Sequence, residues 1–157
     1  MSPFSKYEIK GIKSHEELQR LCTANIKNES GKCTYTHMLN EAGGIETDLT
    51  VVCIDKDHFR IISAAAVRTH DKAHILKHIS SDIEFKDVTD DLVCLGIFGP
   101  KSRNLISKLS NDDFSNDNFK FGTSKNIKIN GKVIWTQRLS YVGELGYELY
   151  ILSLIHI

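Results

Sequence analysis

The sequence predicts an α+β fold, a mostly antiparallel sheet with packed helices. Three observations point there. Helical and strand-like hydrophobic periods are mixed along the chain. Asn130-Gly131, the dipeptide that favours a two-residue hairpin turn, stands between alternating apolar residues. Ala42-Gly43-Gly44 joins two further strand-like runs across a short reversal. Strands joined by such hairpins run antiparallel.

The elements follow in order. Ser14 begins an S-x-x-E capping box with Glu17 and opens a short helix through about Cys22. Residues 32–40 and 46–54 are strand-like, and Asp55-Lys56-Asp57 is a polar turn into a strand over 59–62. Thr69 is placed to cap a second helix running to about Ile79, with Ala73, Leu76 and Ile79 on one face. Residues 93–98 form a compact apolar strand. Gly99-Pro100 then leads into a helix expected to bury Leu105, Ile106 and Leu109. Ile127, Ile129, Val133 and Trp135 alternate around the Asn-Gly turn, and 147–151 reads as a last strand.

A chain of 157 residues can bury a sizeable core, and 41% hydrophobic with 25% charged residues is a globular balance. Lys+Arg and Asp+Glu are equal at 20 each, with no basic stripe, which argues against a nucleic-acid partner. No apolar stretch approaches the ~20 residues that span a bilayer, so no membrane partner is expected. Cys22, Cys33, Cys53 and Cys94 lie far apart with no C-x-x-C pair. That usage fits reduced thiols, and a cytoplasmic or mitochondrial matrix location.

No repeat or linker interrupts the chain, which reads as one domain over 1–151, truncated at its C-terminus. Residues 152–157, L-S-L-I-H-I, follow a strand without turn or cap and match what a library-preparation adapter encodes in frame. A non-native tail is expected there, and Met1 is compatible with an internal methionine.

Two glycine-containing constellations and a histidine row carry possible chemistry. In M-L-N-E-A-G-G-I-E-T-D-L-T-V, from Met38, Asp48 enters an apolar strand, which is costly for an acid unless it is paired, hydrogen-bonded or used. The same spacing also fits a plain hairpin whose Asp48 faces water. In R-L-S-Y-V-G-E-L-G-Y-E, from Arg138, Gly143 and Gly146 bracket Glu144. Tyr141 and Glu148 there suit a cleft, an aromatic to stack and a carboxylate to accept paired N–H donors from a pterin or purine edge. An ordinary strand connection with Tyr141 in the core fits the spacing as well. His70, His74 and His78 recur every four residues, but Lys72 and Lys77 beside them favour a solvated helix face over a metal site. No P-loop, no G-x-G-x-x-G and no G-x-S-x-G is present.

Taken together, these stretches resemble the aminomethyltransferase folate-binding family, whose founding member is the T-protein of glycine cleavage. The resemblance runs through the Met38 motif, through G-I-F-G-P-K-S-R from Gly96, and through R-L-S-Y-V-G-E-L-G-Y-E-L from Arg138, in the family's order. A-A-A-V-R-T-H-D from Ala64 and D-F-S-N-D-N-F-K-F-G-T from Asp113 are most similar to the C-terminal domain of FAD-dependent dehydrogenases of the dimethylglycine and sarcosine type. The resemblance implies tetrahydrofolate as cofactor, with FAD confined to a missing N-terminal domain. It implies a flavoprotein amine dehydrogenase domain as the fused or docked partner. It also implies Asp48 as the catalytic carboxylate and Tyr35, Asp48, Tyr141 and Glu148 as the folate contacts. The expected role is one-carbon transfer giving 5,10-methylenetetrahydrofolate. A stand-alone aminomethyltransferase and a non-catalytic regulatory member are the alternatives. An arginine beyond the second motif and a later β-rich subdomain, both used by the family, are not in these residues.

Overall fold

A computed structural model describes residues 3–153. The chain divides into two compact units, Met1–Thr89 and Asp90–Ile157, within what the sequence reads as a single span over 1–151. As expected from the hairpins, every strand pair is antiparallel. No helix among the described residues is long and apolar enough to cross a membrane.

The first unit is a five-stranded sheet carrying two helices. Its strands are β1 (Phe4–Lys10), β2 (Cys33–Leu39), β3 (Ile45–Asp55), β4 (His58–Ala64) and β5 (Glu84–Asp87), in the order β2-β3-β4-β1-β5. Strand alternation sends Tyr7, Ile9, Met38, Leu49, Val51, Phe59 and Ile61 to one face. There they meet Leu18 of helix α1 (Ser14–Leu21) and Ile75 of helix α2 (Arg68–His78), both fully buried. The opposite face is mixed: it carries Glu8, Tyr35, His37, Asp48 and Arg60 together with the buried Val52 and Ile62.

Three expectations about the helices are corrected here. Ser14 does not cap α1; it lies inside it, and its Oγ is buried with no partner. Gly11, at φ +143, turns the chain so that its carbonyl accepts from the Ser14 amide. The Lys13 carbonyl takes the Glu17 amide, while the Glu17 carboxylate is drawn to Arg20 and the Ser80 amide. Nor does Thr69 cap α2: a 3-10 turn, Ala65–Val67, feeds the helix at Arg68. That entry sets the phase of α2, so Asp71 and Ile75 point inward while Ala73 and Leu76 face out, and only Ile79 of the expected face packs on the core.

The second unit is a four-stranded sheet in the order β6-β9-β8-β7, made of β6 (Leu92–Phe98), β7 (Thr123–Ile129), β8 (Lys132–Arg138) and β9 (Gly146–Leu152). Helix α3 (Ser102–Ile106) buries Ile106, but Leu105 and Leu109 are about half exposed, against expectation, because so short a helix presents little more than one residue to the sheet. Ile106, Phe114, Phe119, Ile127, Ile134, Tyr147 and Leu149 form the core. The expected Asn-Gly hairpin joins β7 to β8, with Asn130 at φ +49 and Gly131 at φ +75, the left-handed pair that a two-residue turn requires. Of the expected tail over 152–157, residues 154–157 lie outside the described residues. Leu152 pairs with Leu92, and the Ser153 amide donates to the Asp91 carbonyl.

Candidate functional site

The candidate residues fall into two groups, one on each sheet. On the first unit, Asn40 shapes the reversal between β2 and β3. Its side-chain oxygen accepts from the amides of Ala42 and Gly44 while Gly43 takes φ +81. The hairpin so fixed sets Thr50 opposite Tyr35 and Asp48 opposite His37. Tyr35 Oη donates to Asp48 Oδ2 at 3.1 Å, and the Tyr35 ring meets His37 edge-on at 5.3 Å. Asp48 is exposed, so the acid expected to be costly in an apolar strand stands on the strand's outward face. Partial burial, then the hydrogen bond and charge of Asp48, push the Tyr35 phenol upward. A solvent-reached carboxylate, a phenol held on it and an imidazole across the ladder make a small polar platform. Such a group can stabilise a cation and hold or relay a proton.

On the second unit, Tyr141 and Glu148 occupy different environments. Tyr141 is 81% exposed in the segment between β8 and β9, so it is not a core residue. Glu148 lies within β9, only 6% exposed, on the sheet face opposite the core. Its register neighbours are Gly96 on β6 and Gln137 on β8. Tyr150, two residues on and therefore on the same face, donates from Oη to Glu148 Oε2 at 2.9 Å. Burial raises the Glu148 carboxyl above its ordinary range, and the Tyr150 hydrogen bond opposes that. Burial and the Glu148 charge together push the Tyr150 phenol well up, so it stays a donor. A buried acceptor facing away from the core is satisfied best by further N–H donors.

His37, Gln137 and Tyr150 are neighbours that sequence reading did not single out. The signal for Tyr150 was available, because i and i+2 share a strand face; the cross-strand pairs needed the register. His70 reaches Glu46 at 2.9 Å, while the His74 and His78 rings stay together, centroids 4.5 Å apart, with His78 Nδ1 on the His74 carbonyl. A recess of about 500 Å³ lies along Lys108, Asp112, Lys128 and Gly131 and includes none of the candidate residues.

With this geometry, relatives become informative. Residues 1–154 match the GCVT N-terminal domain. The chain belongs to that family. It is 37% identical over 153 residues to dimethylglycine dehydrogenase, mitochondrial, of Rattus norvegicus, covering 96% of this chain and 18% of that protein. Sarcosine dehydrogenase, mitochondrial, of Homo sapiens is 33% identical over 167 residues, again across 96% of the chain and 18% of the relative. The crystal structure of glycine cleavage system aminomethyltransferase T from Bartonella henselae superposes with a TM-score of 0.80 at 20% identity, over 96% of this chain and 40% of that one. The GCVT-type domain therefore has the aminomethyltransferase fold, and it spans under a fifth of the length of the dehydrogenase relatives.

Proposed function

We propose that this domain binds tetrahydrofolate and accepts the methylene unit released by oxidative demethylation of a methylated amine of the dimethylglycine or sarcosine type. The observation that carries this reading is Glu148, a nearly buried carboxylate on the non-core face of its sheet, oriented by Tyr150. Paired N–H donors on a pterin edge match such an acceptor. The likeness to dimethylglycine and sarcosine dehydrogenases supports the choice of substrate class.

In this reading folate N5 attacks the carbon of a methylene-iminium ion, forming the N5–C bond as the C=N π pair moves to the amine nitrogen. N10 then attacks the same carbon and the C–amine bond breaks. The protons of N5 and N10 end on the departing ammonium, so charge and atoms balance. Asp48 stabilises the cationic carbon and relays the nitrogen protons; Tyr35 orients Asp48, and Tyr141 packs on the folate. Placing the two reactants together contributes more than strong acid or base. FAD, in this reading, belongs to an amine-oxidising partner domain, fused or docked, which the likeness to dimethylglycine and sarcosine dehydrogenases supports. The mitochondrial relatives fit a matrix location, with cytoplasm the other choice.

The test is calorimetric titration of the protein with tetrahydrofolate. Glu148→Ala is expected to weaken binding roughly 10- to 100-fold through loss of charged hydrogen bonds. Asp48→Ala should leave most affinity but abolish methylene transfer in a coupled assay. A folded wild-type protein that ignores tetrahydrofolate would retire this reading in favour of a non-catalytic regulatory domain.

A further inference from the structure

The face of the second sheet that carries Glu148 also holds an aromatic ring in an unusual setting. Phe98, at the end of β6, shares that face with Gly96 two residues before it and with Gly146 across the ladder. A Cβ added at Gly96 would lie 2.4 Å from Phe98 Cε2, and one at Gly146 would lie 2.5 Å from Phe98 Cδ1. The ring thus fills the room that two side chains on neighbouring strands would take, and neither glycine tolerates a substituent while it does. Gly96 is itself the register partner of Glu148, so the ring lies beside the buried carboxylate. Tyr150 occupies Glu148 Oε2, which leaves Oε1 to accept from a ligand.

Covering bare glycine backbone stabilises a strand pair in its own right. What exceeds that role is the pairing of a bedded, partly exposed ring with a carboxylate that accepts at its edge. A flat heterocycle needs both contacts, a face to stack on and an edge acceptor for adjacent N–H groups.

Resting on the folate reading above, we infer that Phe98 is the stacking platform for the pterin ring, held in place by the Gly96–Gly146 trough beside Glu148. Phe98 then sets specificity for an N–H-rich bicycle with a flat pyrimidinone ring, whereas the benzoylglutamate tail of folate does not use it. The platform acts on binding and takes no part in bond making.

Trp135 provides the readout. It is the single tryptophan of the chain, and its ring centroid lies 4.7 Å from that of Tyr150, the residue bonded to Glu148. The full chain is titrated with a tail-less tetrahydropterin and, separately, with p-aminobenzoylglutamate, following Trp135 fluorescence. Phe98→Leu keeps apolar bulk but removes the π face, and should weaken tetrahydropterin binding roughly 5- to 10-fold. Phe98→Tyr should bind like wild type, and the affinity for p-aminobenzoylglutamate should be unchanged in both. Gly96→Ala, which keeps the ring but lifts it from the trough, should also weaken the pterin alone. Circular dichroism melts accompany each variant, so that a folding defect in Phe98→Leu transfers the decision to Gly96→Ala and Phe98→Tyr. Wild-type pterin affinity in folded Phe98→Leu or Gly96→Ala, with Glu148→Gln weakened, would overturn the platform and leave the folate site standing. A wild-type protein that does not bind the pterin, or Glu148→Gln that binds it normally, would overturn the folate reading and the platform with it.

Discussion

Glu8 is the centre of a charge cluster on the first sheet. It lies on the outward face of β1 with its side chain 14% exposed, 2.6 Å from the Arg60 guanidinium, 3.2 Å from Lys10 Nζ and 3.3 Å from His58 Nε2. Burial alone would raise its carboxyl, but the hydrogen bond and charge of Arg60, then Lys10 and His58, overcome this and hold it at about 2. His58 contributes least as a cation, because its own burial lowers it and favours the neutral ring. Set against an ordinary value near 4.5, that displacement corresponds to about 3 kcal/mol of native-state stability at neutral pH. The sign follows from the depression: the contribution is complete above the ordinary carboxylate value and is lost as pH falls from there towards 2. Glu8→Gln keeps the shape, removes the charge and leaves Arg60, itself 12% exposed, without its carboxylate. Urea unfolding followed by far-ultraviolet circular dichroism should show the variant less stable by about 3 kcal/mol at pH 7. The gap should narrow steadily below pH 4 and close near pH 2. A gap under about 1 kcal/mol at pH 7, typical of exposed pairs, or one that does not vary with pH, would refute the argument.

Glu148 should behave in the opposite sense. Its carboxyl is raised, so stability is lost as pH climbs above the ordinary carboxylate value. Glu148→Gln should match wild type below pH 4 and melt at a higher temperature at pH 7, as followed by Trp135 fluorescence. Ile75→Ala removes a fully buried side chain of α2 and should cost about 2–5 kcal/mol in urea unfolding. Gly131→Ala meets no atom within 4 Å at φ +75, so its cost is purely conformational, about 1–2 kcal/mol by thermal melting.

The parts of the fold legible in the sequence were those dictated by local chemistry. Asn130-Gly131 was readable because few residues other than Asn and Gly accept two successive left-handed conformations. The Gly43-Gly44 reversal was readable for a related reason, with Asn40 supplying the side-chain bonds. Strand β5 was not: E-F-K-D has one apolar residue and is a strand only because β1 offers it an edge. Strand β1, ahead of the first helix signal, also went unread. The helix starts misled because backbone carbonyls at Gly11 and Lys13 met the donors that Ser14 was expected to cap. The phase of α2 was settled by Ile75 entering the core, a tertiary decision that Ala73 and Leu76 could not reveal. At the candidate site, motif matching singled out Asp48 and Glu148 but not their contrasting surroundings. Both stand on the non-core face of their sheets, but Asp48 has a register neighbour on one side only, His37, whereas Glu148 lies between Gly96 and Gln137, a register the sequence does not print.

The distribution of thiols has a practical consequence. Cys22, Cys53 and Cys94 are buried and Cys33 is only half-buried, and burial pushes Cys22 up to about 12 and Cys53 upward as well. Because the thiolate is the species that alkylates, the native protein at mild alkaline pH should take up one equivalent of iodoacetamide quickly and the remaining three only as its sheets open. The mass increments on an intact-protein spectrum would then count open molecules one by one, with no engineered label.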